Sequence, residues 1–163
     1  MRRTRWQTLI GIAVVVGVLA AVVTTWLDRQ GPGMPRVSWL VVAVELLIAT
    51  VVFSMGWAVR QFLHGKRPSL DPIRAARTAV LAKAACYTGA LLTGWYGGQM
   101  VAHLVDTAIP GNAGRAGSAA VAAGGAVVLA GVGLVVEWFC RVPPPQDGEK
   151  ERDRAGAPDP AAT

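Results

Sequence analysis

The chain has 163 residues, 53% of them hydrophobic and only 16% charged, with a formal net charge of +6. A soluble domain carries about 25% charged residues, so this balance excludes a disordered chain and argues against an ordinary soluble enzyme. Two cysteines exclude a disulfide scaffold.

A hydrocarbon core of ~30 Å needs about 20 apolar residues at 1.5 Å each. Four stretches meet that length, and they predict an all-α, four-helix transmembrane bundle with spans at about 6–27, 37–59, 78–105 and 116–138. The alternative, four buried helices of a soluble bundle, requires a charged face at helical spacing, and none of the four has one.

The first stretch, Trp6 to Leu27, is uncharged and follows Arg2, Arg3 and Arg5. It resembles a signal peptide, with Val18-Leu19-Ala20 as a cleavage-like site, but it continues to span length and reads as an uncleaved anchor. Asp28 to Arg36, with Gly31-Pro32-Gly33, reads as a short turn. The second span, Val37 to Val59, is interrupted only by Glu45. Glu45 shares a helix face with Ser38, Ala49 and Gly56 and lies ~12 Å inside the span.

Asp71-Pro72 reads as the start of the third helix: an N-cap followed by proline at the first helical position. From Pro72 the pattern runs unbroken to Leu104, about 50 Å of helix. That exceeds the hydrocarbon core, so the first turns are expected to lie in the interface. Arg74 and Arg77 would reach phospholipid headgroups there, as plain surface anchors. Lys83 instead falls on a stripe of small residues that includes Cys86, Ala90, Gly94 and Gly97. Small residues let backbones approach, so Gly94, Gly97 and Gly98 are expected to be packing positions. Pro110-Gly111-Asn112 reads as a tight turn into the fourth span, whose small-residue face (Ala119, Ala126, Gly133) ends at Glu137. The tail at 143–163, opening with three prolines, reads as disordered and cytoplasmic.

Lys and Arg divide thirteen to three between the two sides of this arrangement. The positive-inside rule then places both termini in the cytoplasm of a multi-pass plasma-membrane protein. The basic charge is thereby explained by topology, and no nucleic-acid partner is expected. Trp6, Trp26, Trp39, Trp57 and Trp138 fall near span ends, where indole rings prefer to sit; Trp95 lies deep and needs another explanation.

Three intramembrane ionisable groups fall on small-residue faces, as a bundle interior requires. Lys83 and Glu137 lie at similar depth and are expected to form a structural ion pair joining the third and fourth helices. Glu45 is a candidate proton or cation site, with Tyr96 or a water as its expected partner. Its bland alternative is a protonated carboxyl hydrogen-bonded inside the bundle. No catalytic motif, metal-ligand set or cofactor fingerprint is present, so no enzyme activity, metal or cofactor is expected.

The segments Asp71-Pro72-Ile73-Arg74-Ala75-Ala76-Arg77-Thr78, Leu81-Ala82-Lys83-Ala84, Gly94-Trp95-Tyr96-Gly97-Gly98 and Glu137…Cys140-Arg141-Val142-Pro143 carry a family resemblance. Over about residues 2–145 the chain resembles an actinobacterial-type membrane family catalogued as domain of unknown function 3180. The resemblance implies a small four-span membrane protein and supplies no catalytic residue. The expected function is a non-enzymatic accessory or scaffolding subunit, with the lipid bilayer and other membrane proteins or further copies of itself as partners. The alternative is a small proton- or cation-coupled transporter or channel with Glu45 in its pathway.

Overall fold

A computed structural model describes residues 6–31, 35–63, 72–105 and 109–140. Among these the protein is four helices and no strands: α1 (Trp6–Arg29), α2 (Trp39–Leu63), α3 (Pro72–Val105) and α4 (Asn112–Phe139). Asp71 and the tail from 141 onward lie outside the described residues; Pro72 opens α3.

Local chemistry sets the helix ends. The α1 helix closes on a tightened turn, Gln30 N–H to Leu27 C=O at 3.0 Å, followed by Gly31 in the left-handed region at φ 102°. A glycine there ends a helix without Cβ strain. Ser38 caps α2, its hydroxyl accepting from the Leu40 N–H at 3.3 Å. Gly111, at φ 92°, turns the chain into α4 at Asn112, four residues earlier than the apolar run begins.

Three of the four helices, α1, α2 and α4, are long and apolar enough to cross a membrane. By that measure α3 is not, although a span was expected at 78–105. The reason lies in its position. Among the described residues α3 touches all three other helices, whereas α1 packs on α3 alone and α2 packs on α4 and, lightly, on α3. A helix walled by helices needs small side chains rather than lipophilic ones, and α3 is accordingly rich in Ala and Gly. The core is a triangle of α2, α3 and α4, with α1 attached to the outer side of α3.

Side-chain distribution is inverted relative to a soluble protein. The buried apolar residues are mostly alanine, while Val, Leu, Ile and Trp crowd the exposed surface of every helix. In water such a surface would drive aggregation; in lipid it is the solvated face. Trp6, Trp26, Trp39 and Trp138 are all well exposed near helix ends. Hydroxyls within the helices bond back to their own backbone: Thr25 to Ala21, Thr50 to Leu46 and Thr93 to Gly89, at 2.7 to 2.8 Å. That satisfies a polar group where no water competes.

Glycines set the spacing between helices. A Cβ on Gly98 would run into the Gly17 carbonyl and come within 2.8 Å of Ala20, and one on Gly94 would meet the Ala13 carbonyl. Leu9 packs against Cys86 and Ala90 at the other end of the same seam. Residue numbers rise together along it, so α1 and α3 run parallel. Between α3 and α4 the order reverses: Gly89 lies against Ala126 and Ala130, and Gly133 against Ala82 and Cys86. The α2–α4 pair is parallel, with Glu45 near Gly125 and Gly56 against Val136.

Candidate functional site

The buried face of α2 carries Glu45, Ala49, Val52, Gly56 and Val59. Four of these are apolar or lack a side chain, and the fifth is a carboxylic acid only 3% exposed. It fits because Gly125 stands opposite on α4; Oε2 occupies the volume where a Cβ on that glycine would go. Among the described residues neither carboxyl oxygen of Glu45 has a hydrogen-bond partner. Burying such a group unpaired costs about 1–3 kcal/mol or more.

Glu45 stands in the wall of a cleft of about 490 Å³ between α2 and α3. Leu40, Val44, Ile48 and Leu81 line its mouth and are exposed at the membrane-facing surface. Leu129 of α4 contributes to its lining as well. Among the described residues Tyr96 and Thr88 are the remaining polar side chains of the lining, and no basic residue contributes to it. The expected partnership of Glu45 with Tyr96 is thus reduced to a shared cleft: the two line one space, and the carboxyl accepts nothing from the phenol. A membrane-open cleft lined by apolar side chains, with one unsatisfied acid, can hold a cationic or hydrogen-bond-donating guest. Among the described residues no group of three or more His, Cys, Asp or Glu is placed to hold a metal ion.

The other residues singled out from the sequence fall elsewhere. Lys83 and Glu137 are both half-buried and each engages a partner. The turns that carry them face each other, since Ala82 and Cys86 lie against Gly133. Arg77 is exposed on the first part of α3, and the Arg74 side chain lies outside the described residues. Gly94 and Gly98 lie against the α1 backbone, whereas Gly97 has no heavy atom within 4 Å of a would-be Cβ. Gly97 therefore sits beside the packing seam rather than in it. Of the three expected packing glycines, Gly94 and Gly98 are in the seam.

Sequence reasoning missed three contacts. His103, only 2% exposed, faces Asp28 across the far ends of α3 and α1, Nδ1 to Oδ2 at 3.6 Å. That distance is long for a hydrogen bond, and among the described residues His103 Nδ1 and Asp28 Oδ1 have no hydrogen-bond partner. The signal was available: parallel first and third spans bring their last turns to the same level. Arg60 lies between two rings, 5.4 Å from Trp57 and 4.7 Å from Phe139, joining the ends of α2 and α4. The Trp57–Arg60 spacing on one helix face carried half of that contact. Arg36 lies over Gly114, which no spacing in the sequence announces.

This arrangement can be compared with known proteins. The signature of a protein family described as "Protein of unknown function (DUF3180)" matches residues 9–144. The chain belongs to that family. No curated protein and no solved structure matches it. For this DUF3180 chain, chemistry therefore has to be argued from its own residues.

Proposed function

We propose that this DUF3180 chain is a non-enzymatic accessory or scaffolding subunit of a membrane assembly. The observation that carries the reading lies on α4. Gly117, Gly124 and Gly131 recur every seven residues, all are exposed, and a Cβ on any of them would meet nothing within 4 Å. Ala113 and Ala120 lie on the same exposed side. Gly94 and Gly98, by contrast, are filled by α1. A lipid-facing stripe of small residues offers close backbone approach to one more helix. The partner is a transmembrane helix of another protein or of a second copy.

The test is a photoreactive residue at Ala120 in the native membrane, together with Gly124→Leu. A crosslinked helix that disappears in Gly124→Leu, with the circular dichroism unchanged, supports the reading. A chain that stays monomeric after gentle extraction and captures no helix from Ala120 overturns it.

A second reading is favoured by Glu45. A small proton- or cation-coupled transporter or channel would use this unsatisfied carboxyl in its pathway. Glu45→Gln would then abolish flux in reconstituted vesicles while leaving the fold intact; unchanged flux rejects it.

In either reading the chain lies in the plasma membrane with both termini cytoplasmic, in keeping with its thirteen-to-three distribution of Lys and Arg. Lys83 and Glu137 form a structural ion pair near the cytoplasmic boundary, and Arg77 contacts anionic headgroups.

A further inference from the structure

We propose that the α2–α3 cleft is a binding site for a lipophilic monocation, an ammonium group on an apolar body, with the Glu45 carboxylate as its counter-ion. The inference names a ligand class for the carboxyl of the second reading. It does not depend on the glycine stripe of α4, which lies on another face.

Charge comes first. Glu45 is buried, and among the described residues both its oxygens are without a hydrogen-bond partner; Oε2 lies against Gly125, so the guest is met by the carboxyl turning from Gly125 into the cleft. Among the described residues no lysine or arginine lines the cleft to neutralise it. An attraction between opposite charges is far stronger in hydrocarbon surroundings than in water, so a cation arriving there is held firmly. An anion or a zwitterion gains no such term.

Shape and access come next. About 490 Å³ lies within the roughly 300–1,000 Å³ typical of small-molecule sites. The walls are aliphatic: Val44, Ile48, Leu81 and Leu92 supply contact for an alkyl or ring body, and Tyr96 and Thr88 are the remaining polar side chains. A bare or hydrated metal ion would find one carboxyl and too few oxygens around it. The mouth is formed by exposed apolar side chains of α2 and α3, so entry is from the bilayer. An amphiphile already concentrated in the membrane takes that route; a strongly hydrated cation does not. The sparse contact between α2 and α3 lets the cleft admit a guest without parting the tighter helix pairs.

The test uses the full chain in phosphatidylcholine vesicles and the hydrophobic reagent dicyclohexylcarbodiimide, which forms a stable adduct with carboxyls in apolar surroundings. Adduct formation at Glu45 is followed by peptide mass spectrometry, with dodecylammonium or dodecanol added at equal membrane loading. Dodecylammonium is expected to slow the adduct about tenfold and dodecanol less than about twofold. Saturable retention of dodecylammonium should fall about tenfold in Glu45→Gln. It should fall similarly in Leu92→Trp, which fills the cleft and keeps the acid. Equal protection by the ammonium and the alcohol, or retention unchanged in both variants, overturns the proposal and leaves Glu45 a structural acid. If Glu45→Gln does not fold, Leu92→Trp and the protection comparison decide. The measurement is binding at equilibrium, so loss of flux without loss of protection would reject transport and keep the site.

Discussion

The α3 helix meets two neighbours in opposite ways. Toward α1 it presents Gly94 and Gly98, and the Ala13 and Gly17 carbonyls come directly against them. Toward α2 it presents Leu81, Thr88, Leu92 and Tyr96 around a space, with Glu45 in the far wall. The first interface is a close seam and the second a partly open one, although one continuous helix provides both. What separates them is side-chain size at a few positions. Glycine removes the spacer and gives contact; larger residues hold the backbones apart and leave room. In a solvent that supplies no hydrophobic drive between helices, that geometric difference decides which pairs are rigid and which can admit a guest.

The largest effect should come from putting a side chain into the close seam. Gly98→Leu is expected to cost about 3 kcal/mol or more, or to detach α1, because the new Cβ meets the Gly17 backbone. Gly97→Leu, one residue away with open space beside it, should change stability by less than about 0.5 kcal/mol. Detergent-induced unfolding followed by circular dichroism compares the two, and equal losses would show that the seam is misplaced. Next is Leu129→Ala at the meeting of α2, α3 and α4. Leu129 is 1% exposed, and its truncation should cost about 2 kcal/mol or more.

Gly125→Ala tests the open side. Its methyl group competes with the Glu45 carboxyl for one volume, so a loss of about 1–2 kcal/mol is expected. Adding Glu45→Ala should recover part of that loss, with a coupling of at least about 0.5 kcal/mol. Additive effects would mean that the two side chains do not meet. At the far end of the close seam, Asp28→Asn should cost about 1 kcal/mol, a loss that vanishes when His103 is already Gln.

The smallest effect concerns the two cysteines, one on each side of the comparison. Cys86 is buried beside Leu9 and Ala90, while Cys140 sits half-buried at the end of α4 against the other cluster. Maleimide should label Cys140 in the folded chain and Cys86 only after unfolding. Burial pushes the Cys140 thiol up, so less of it is thiolate at any given pH. Its labelling should therefore accelerate at a higher pH than that of an ordinary thiol.

Much of the architecture was legible because hydrocarbon thickness fixes span length. The first helix was expected at 6–27 and runs Trp6–Arg29; the fourth was expected at 116–138 and runs Asn112–Phe139. The small-residue faces of α3 and α4 were legible too, since Cys86, Ala90, Ala119, Ala126 and Gly133 are all buried. Which faces meet was not legible. The pattern marks Gly94 and Gly97 alike, yet only a particular crossing with α1 makes one of them a contact and leaves the other open. The central place of α3 also escaped, because periodicity reports a small-residue face without saying how many neighbours it serves. Glu45 was singled out correctly as buried, but the room for its carboxyl depends on Gly125, which lies eighty residues away in the chain.

The solitary attachment of α1 to α3 has a consequence for biosynthesis. The α1 segment, made before α2 and α3, finds no docking surface on the α2 helix that follows it from the ribosome. It must wait in the bilayer until the third segment is threaded, more than sixty residues after its own first turn. A nascent chain halted after α2 should therefore hold two helices that ignore each other, and the lone α1 of one molecule can be captured by the α3 of another. Exchange of that arm between neighbouring chains is the misassembly to which this topology is most exposed.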